Sequence, residues 1–457
     1  MTHIGRDPLS PKFLFGGLEP QGIVIVAVSG GSDSMALLLL AHAWALESEA
    51  TLHAVTIDHG LRPEAAAEAA FVASVCEGLG IDHTTLAWEG MKPPAGLADA
   101  ARRARYALIE EFALDIGGDL IVTGHTADDQ AETVHMRLAR DKGSEGGSEL
   151  SSLGRGLAGM SPLSILPGGT LLARPLLGVT RAALRGYLAS FPQSWVEDPS
   201  NDDPAYERVR VRRLLAGDPE LRARLLRLCE AMARWRTVLS RDTASLLSRH
   251  AVLKPGQVFR FDLAPAMAAP LPVLVHAVQV LLAAAGGAEQ LAPRRRVEAL
   301  IAGFAGGDTG RMTLAGAVIE RDGDGLRLYR ETRNLESFFV DPGETAIWDG
   351  RMEITNGGRS RIHVGALTRE GLSQVEKARK AAVPGRPRAA LHSAALIRCV
   401  DGRTFLPMLE ANGQPSNVHT RMTAQAIEHF CPETDFALLE WLRGVETARR
   451  ACLQPKT

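Results

Sequence analysis

The stretch "IVIVAVSGGSDSMALLLLAHAW" runs from Ile23 to Trp44. Six apolar residues lead without a break into Ser-Gly-Gly-Ser-Asp-Ser, and a second apolar run follows. Ile23–Val28 reads as a strand buried on both faces, and Ser34–Leu46 as a helix. The hexamer therefore opens a helix at the end of a buried strand, where backbone N–H groups and the helix dipole point at an anion. Gly30 and Gly31 remove side chains that would hold a phosphate away. Ser29, Ser32 and Ser34 supply hydroxyl donors. Asp33 is the odd member, and an acid beside a phosphate makes sense with Mg²⁺ bridging the two. No G-x-x-x-x-G-K-[ST] occurs in the chain, so this is not a Walker loop. A bare Gly-Gly turn with serine caps is the simpler alternative; the strand before and the helix after favour the phosphate.

Outward from this stretch, strands and helices alternate. Leu52–Ile57, Asp82–Ala87, Leu120–Thr123 and Thr170–Leu176 read as further strands, separated by helices at Glu64–Leu79, Leu97–Ile116 and Thr126–Ala139. This pattern predicts an α/β fold, a parallel five-stranded sheet with helices on both faces and ligands at the carboxyl ends of its strands. Gly143–Gly169 reads as a Gly/Ser/Leu loop, functional or disordered. An Arg-rich helical region runs from Ala205 to about His250, and further helices reach Phe304. Gly316–Glu331 alternates around Asp-Gly pairs and predicts a β-hairpin. Beyond about Glu336 the chain is punctuated by Pro and Gly, with short strands such as "GRMEITN" and "ALIRCV". At 457 residues the chain exceeds one ordinary core. The expected domains are 1–215, catalytic; 216–335, mainly helical and ending in the hairpin; and 336–457, a small α+β domain.

The composition is that of a globular protein, 46% hydrophobic and 23% charged with a net charge of -2. That total hides two basic stretches, Tyr206–His250 and Thr355–Phe405, which are either solvated faces or a surface for a polyanion. Cys76, Cys229, Cys399, Cys431 and Cys452 show no pairing rhythm, which points to a reducing cytoplasm and away from structural zinc. No signal peptide is visible at the N-terminus. Leu271–Ala288 is apolar enough to test as a membrane span, but His276 and Gln279 favour a buried helix.

A second group of chemical residues follows the fourth strand. His125 closes that strand, which puts its ring at the carboxyl edge of the sheet. Asp129 and Glu132, three apart, share one helix face. Thr126 and Asp129 also fit a capping box, although capping alone would not need His125, Asp128 and Glu132. Asp58 and His59 end the second strand, where they are either turn residues or nucleotide contacts. "GRGLAG" at Gly154–Gly159 has the spacing of a dinucleotide loop but lacks the preceding strand.

The hexamer matches the PP-loop signature of the N-type ATP pyrophosphatases. "DHGLR" (Asp58–Arg62), "ARRARYALI" (Ala101–Ile109), "TGHTADDQAETVHMRLAR" (Thr123–Arg140), "GLAGM" (Gly156–Met160), "RPLL" (Arg174–Leu177) and "WVEDPSNDDPAYERVRVRRLL" (Trp195–Leu215) follow in order. Together they resemble the tRNA(Ile)-lysidine synthase family over roughly the first half of the chain. The resemblance implies a PP-loop fold and an ATP- and Mg²⁺-dependent ligase. Its catalytic site would hold Asp33, Arg105, His125, Asp129 and Glu132, with Asp33 and Asp129 as candidate Mg²⁺ ligands. ATP would meet Ser29, Gly30, Gly31, Ser32, Asp33, Ser34, Asp58 and His59.

The implied reaction adenylates the wobble cytidine of an isoleucine tRNA with a CAU anticodon and then displaces AMP with free L-lysine. A carboxylate or His125 would take the amine proton. The tRNA would be held by Arg208, Arg212, Arg379 and Lys380, without a membrane, in an assembly compatible with a homodimer. Two departures stand out: the family's Arg-Asn-x-Ile-Arg is here Arg208-Val209-Arg210-Val211-Arg212, and the loop after Arg140 is enlarged. The nearest rivals are a PP-loop tRNA thiolase, disfavoured by the unpaired cysteines, and a metabolite-amidating synthetase. A regulator that binds ATP without chemistry would not need the acids on the fourth helix.

Overall fold

The opening apolar run forms the strand Ile23–Ala27 (β1), and its period-two alternation divides it between two cores. Val24, Val26 and Val28 pack with Met35, Leu37 and Leu38 on one face. Ile25 packs with Val55, Tyr106, Ile109 and Ile121 on the other. Burial on both faces is why the run has no polar positions. The computed structural model describes residues 8–60, 64–93, 95–142, 154–197, 203–380, 382–383, 387–407, 409, 417–428 and 430–453. Leu61 and Arg62, the segment 143–153, and Asp198, Pro199, Ser200 and Asn201 lie outside the described residues.

The chain divides into two compact units. One reaches to Arg236 and takes in Phe430–Thr434; the other comprises Thr237–His429 and the segment from Asp435. In the first, β1 is parallel to Leu52–Asp58 (β2), which is parallel to Asp82–Ala87 (β3). On its other side β1 is parallel to Gly118–Thr123 (β4). Leu163–Ile165 (β5) precedes Leu171–Ala173 (β6), and β6 pairs in parallel with β4. These five parallel strands coincide with the five expected ones, but the sheet is larger. β5 joins β6 antiparallel, and the short strand Cys431–Pro432 joins β5 antiparallel. The sheet is thus seven-stranded and mixed.

The longer helices of this unit include Ser32–Ser48 (α1), Ala65–Leu79 (α2), Leu97–Asp115 (α3), Ala127–Lys142 (α4), Arg181–Leu188 (α5) and Glu207–Gly217 (α6). Leu37 and Leu38 of α1, Val72 and Cys76 of α2, and Leu184 and Leu188 of α5 share one core. Tyr106, Ile109 and Ala113 of α3 fill the opposite one. The winding reverses between β1 and β4, so the loops leaving these two strands meet at the carboxyl edge of the sheet. The expected loop at 143–169 is not wholly irregular, since Gly154–Leu157 is a helical turn and β5 follows it.

The long helix Pro219–His250 (α7) contains the boundary between the units. In the second unit the expected helices are interrupted. Ala251–Lys254 (β7) and Val258–Phe261 (β8) precede Leu271–Gly286 (α8) and Arg294–Ala305 (α9). Met312–Leu314 (β9), Ala317–Asp322 (β10) and Gly325–Arg330 (β11) follow. The predicted hairpin is β10–β11, with Asp322 opposite Gly325, but it belongs to a five-stranded antiparallel sheet in the order β7-β8-β11-β10-β9. The segment 216–335 is thus still mostly helical and ends in the hairpin, with a sheet added that the sequence did not announce.

α8 is the apolar segment that invited a membrane test. Val273, Leu274, Val278, Leu281 and Leu282 lie in the core of this unit, where each buried Val or Leu contributes roughly 1.5–3 kcal/mol. His276 Nδ1 meets Thr243 Oγ1 at 3.1 Å, and Gln279 donates to the Ala292 carbonyl at 2.6 Å. No described helix is long and apolar enough to cross a membrane. Two small antiparallel sheets complete the unit. One orders Phe338–Val340 (β12), Ile362–Ala366 (β15), Ala395–Cys399 (β16) and Thr404–Phe405 (β17). The other orders Thr345–Trp348 (β13), Met352–Asn356 (β14) and Val418–Met422 (β18). Helices Arg369–Arg379 (α10) and Phe436–Leu453 (α11) accompany them.

Candidate active site

The hexamer lies in the loop from β1 into α1. Gly30 is left-handed at φ 83°, and an added Cβ there would meet Val196 Cγ2 at 3.4 Å. Its carbonyl accepts from Val196 N–H at 2.9 Å. Gly31 is the N-cap of α1, and no side chain caps that helix, which leaves first-turn N–H groups for an anion. The Ser34 hydroxyl is spent on the loop itself: it donates to the Gly31 carbonyl at 3.0 Å and accepts from Ser29 N–H at 3.1 Å. Ser29 Oγ stands 3.2 Å from Ser34 Oγ. Gly124, just after β4, allows the close approach that joins the two loops. A Cβ on it would lie 3.1 Å from the Asp33 carbonyl oxygen and 3.3 Å from Ser34 Cα.

Asp129 caps its helix with one oxygen and meets arginines with the other. Oδ2 accepts from Thr126 N–H at 2.8 Å and from Thr126 Oγ1 at 2.9 Å, closing the capping box at the start of α4. Oδ1 is left for arginines. Arg208 Nη2 donates to it at 2.7 Å, and Arg181 Nη2 also donates to it. Glu132, one turn on and 1% exposed, accepts from Arg181 Nη1 at 2.7 Å, Arg208 Nε at 2.7 Å and Arg212 Nε at 3.1 Å. Arg181 also donates through Nε to Asp33 Oδ2 at 3.1 Å. One guanidinium therefore ties the phosphate loop to Asp129 and Glu132 of α4. Asp128 accepts from Arg181 N–H at 2.8 Å and from Arg222 Nη1 at 3.1 Å. Four carboxylates face four guanidiniums, so the cluster is balanced in charge.

Burial alone would raise the Glu132 carboxyl, but Arg181 and Arg208 more than offset it and hold the group below its ordinary value. Asp129 is lowered in the same way, with burial opposed by Arg181 and Arg208. Asp33 differs. Burial there outweighs Arg181, and the neighbouring Asp129 charge adds to it, so the carboxyl is raised. Burial and then Arg174 push His125 far below the usual imidazole range, so its ring is neutral, with Nδ1 3.0 Å from Thr123 Oγ1. At the end of β2, Asp58 Oδ1 accepts from Gly60 N–H at 2.8 Å, a turn contact. His59 Nε2 lies 3.3 Å from Arg105 Nη2, and its ring stands edge-on to Trp88. His59 Nδ1 is buried with no hydrogen-bond partner among the described residues.

The structure thus brings Asp33, Asp129, Glu132, Arg208 and Arg212 into one network, with Arg105 and His59 forming a separate pair. Arg379 ends α10 in the second unit, its side chain outside the described part, and Lys380 follows it, exposed. Sequence reasoning missed Arg181. It is the first residue of α5, behind the N-cap Thr180, and nothing local sets it apart from Arg185 one turn later.

Among the described residues no group of three or more His, Cys, Asp or Glu is arranged to hold a metal. Asp33 Oδ1 meets Ser32 Oγ at 3.5 Å. That donor set suits a Mg²⁺ that arrives on phosphate oxygens and takes one or two carboxylates, not a protein cage.

A buried parallel strand, an uncapped helix behind Ser-Gly-Gly-Ser-Asp-Ser and acids at the switch point define a PP-loop domain that uses ATP, and the PP-loop domain family matches residues 11–218. Curated relatives extend the likeness over nearly the whole chain. A tRNA(Ile)-lysidine synthase of Mesorhizobium japonicum is 44% identical over 95% of this chain and 94% of its own length. The corresponding protein of Brucella anthropi is 38% identical over 95% and 96%. The chain belongs to the tRNA(Ile)-lysidine synthase family and is an ATP-dependent ligase.

Proposed function

We propose that this protein joins the ε-amine of free L-lysine to C2 of the wobble cytidine, position 34, of an isoleucine tRNA with a CAU anticodon. The product, lysidine, would change codon reading from AUG to AUA and tRNA identity from methionine to isoleucine. The observation that carries this reading is the convergence of Asp33, Asp129 and Glu132 on Arg181 where the β1 and β4 loops meet. Acids and arginines gathered beside a phosphate loop suit a reaction that cleaves ATP and then takes a proton from an attacking amine.

In the first step the cytidine C2 oxygen attacks the α-phosphorus of ATP, the bond to the β-phosphate oxygen breaks, and pyrophosphate leaves. In the second the lysine amine attacks C2, the C2–O bond breaks, AMP leaves with that oxygen, and the amine loses a proton. Ser29, Gly30, Gly31, Ser32 and Ser34 form the phosphate loop, with Asp58 and His59 towards the nucleoside. Mg²⁺ borne by ATP, held by Asp33 with Asp129, would offset the pyrophosphate charge. Arg105 presents a planar fork for phosphate or carboxylate. The acceptors for the amine proton are the carboxylates and the neutral His125, a contribution of ~10²–10⁴-fold. Arg208 and Arg212, 43% and 32% exposed, present their open edges to the tRNA. Residues 1–215 carry the chemistry, and 336–457 bind tRNA through Arg379 and Lys380.

Sulfur transfer is the alternative chemistry. It would call for paired cysteines, whereas Cys76, Cys229, Cys399 and Cys431 are all free thiols, three of them buried. The test combines purified protein, ATP, Mg²⁺, radiolabelled lysine and an isoleucine tRNA transcript. ATP-dependent label in the tRNA is expected; its absence refutes the reading.

A further inference from the structure

The four-stranded sheet of the second unit carries a row of aromatic and basic side chains across its strands. Phe339 of β12 is directly opposite His363 of β15, His363 opposite Arg398 of β16, and Arg398 opposite Thr404 of β17. Period-two alternation puts all four on one face. Their neighbours Val340, Ile362, Val364, Ile397 and Phe405 point to the other face, in the core. Phe339 is 54% exposed, an unusual state for a phenylalanine on a strand.

Its surroundings are basic. The Arg361 guanidinium lies over the Phe339 ring at 4.5 Å, and the His363 ring stands edge-on to it at 5.2 Å. Arg398 Nη1 lies 3.5 Å from His363 Nδ1. Among the described residues neither Arg361 nor Arg398 forms an ion pair with a carboxylate. One pleat further along the same face, Leu396 is covered by Leu372 and Val375 of α10, so the row occupies the uncovered end.

An exposed aromatic ring flanked by arginines on an open sheet is the arrangement on which an unpaired base stacks while cations meet its phosphates. We infer that Phe339, Arg361, His363 and Arg398 form a stacking platform for an unpaired nucleotide of RNA. This deepens the tRNA reading by naming a contact surface and its chemistry, and it rests on that reading for the identity of the RNA. Phe339 supplies the stacking face, Arg361 and Arg398 neutralise flanking phosphates, and His363 holds the Arg398 guanidinium in the row.

The test uses the full-length protein with two probes, the isoleucine tRNA transcript and a fluorescein-labelled single-stranded RNA 12-mer. Phe339→Ala is expected to weaken binding of both by about tenfold, with the dependence on salt unchanged. Phe339→Trp, which keeps a stacking face, should bind at least as tightly as the native protein. Arg361→Gln with Arg398→Gln should flatten the salt dependence by about two units of slope. In lysine incorporation Phe339→Ala should raise the KM for tRNA and leave kcat unchanged. Native affinity of Phe339→Ala for both probes overturns the inference. Weakened RNA binding in a protein that never incorporates lysine would overturn the proposed function and leave the platform standing.

Discussion

Replacing Arg181 by Met keeps an unbranched stem that reaches about as far as Nε and removes the guanidinium fork. Three carboxylates lose a donor: Asp33, Asp129 and Glu132. Breaking a fully buried ion pair costs about 3–5 kcal/mol, but the loss here is smaller. Asp129 and Glu132 each keep Arg208 at 2.7 Å, and Glu132 also keeps Arg212 at 3.1 Å. Asp33 loses its cation, and its side chain is 23% exposed, so water screens part of the deficit. The expected loss is therefore about 2 kcal/mol, a fall of roughly 4–8 °C in Tm for a unit of this size. The pH dependence has a defined sign. Glu132 has a folded pKa below its unfolded value of 4.5, so its stabilisation is present above that value and is lost as pH falls through the folded pKa. Asp33 is raised in the fold, and deleting Arg181 raises it further, a penalty felt only where the carboxyl is ionised. Both effects make the gap between native and variant proteins full at neutral pH and narrower below about pH 4. Thermal scans across this range measure it. Equal Tm at neutral pH, or a gap that does not change on acidification, would refute the assigned role of Arg181.

Asp33→Ala should reduce pyrophosphate release by at least about 10²-fold in a coupled phosphate assay; near-normal turnover would remove Asp33 from the chemistry. Gly124→Ala places a Cβ 3.1 Å from the Asp33 carbonyl oxygen and 3.2 Å from its carbon, both backbone atoms. Separating the two loops should cost about 1–3 kcal/mol and raise the KM for ATP, and an unchanged KM would show that their close approach is not needed. Charge reversal at Arg379 and Lys380 should weaken tRNA binding and reduce its salt slope by about 2 in filter binding. Unchanged affinity would take the end of α10 out of the RNA surface.

Much of the first unit was legible because its signals are local. An apolar run long enough for a strand, followed by two glycines and a helix, is complete within Ile23–Trp44. Thr126, Asp129 and Glu132 lie within two helical turns, so their shared face follows from helix geometry. β5 and the edge strand Cys431–Pro432 are three and two residues long, too short to carry an alternation. β7 and β8 were hidden between strongly helical stretches for the same reason.

By itself the sequence determined that there is a phosphate loop, which acids accompany it and which family they belong to. Only the tertiary structure decided what those acids touch. Arg181 is 148 positions from Asp33 and 49 from Glu132, and no periodicity spans such distances. Likewise the exposed Phe339 becomes a platform only when His363 and Arg398 arrive beside it from two other strands. A carboxylate announces its chemistry in sequence; its charge partner is chosen by the fold, because closing a long loop is worthwhile only when a packed sheet and its helices have already brought the ends together.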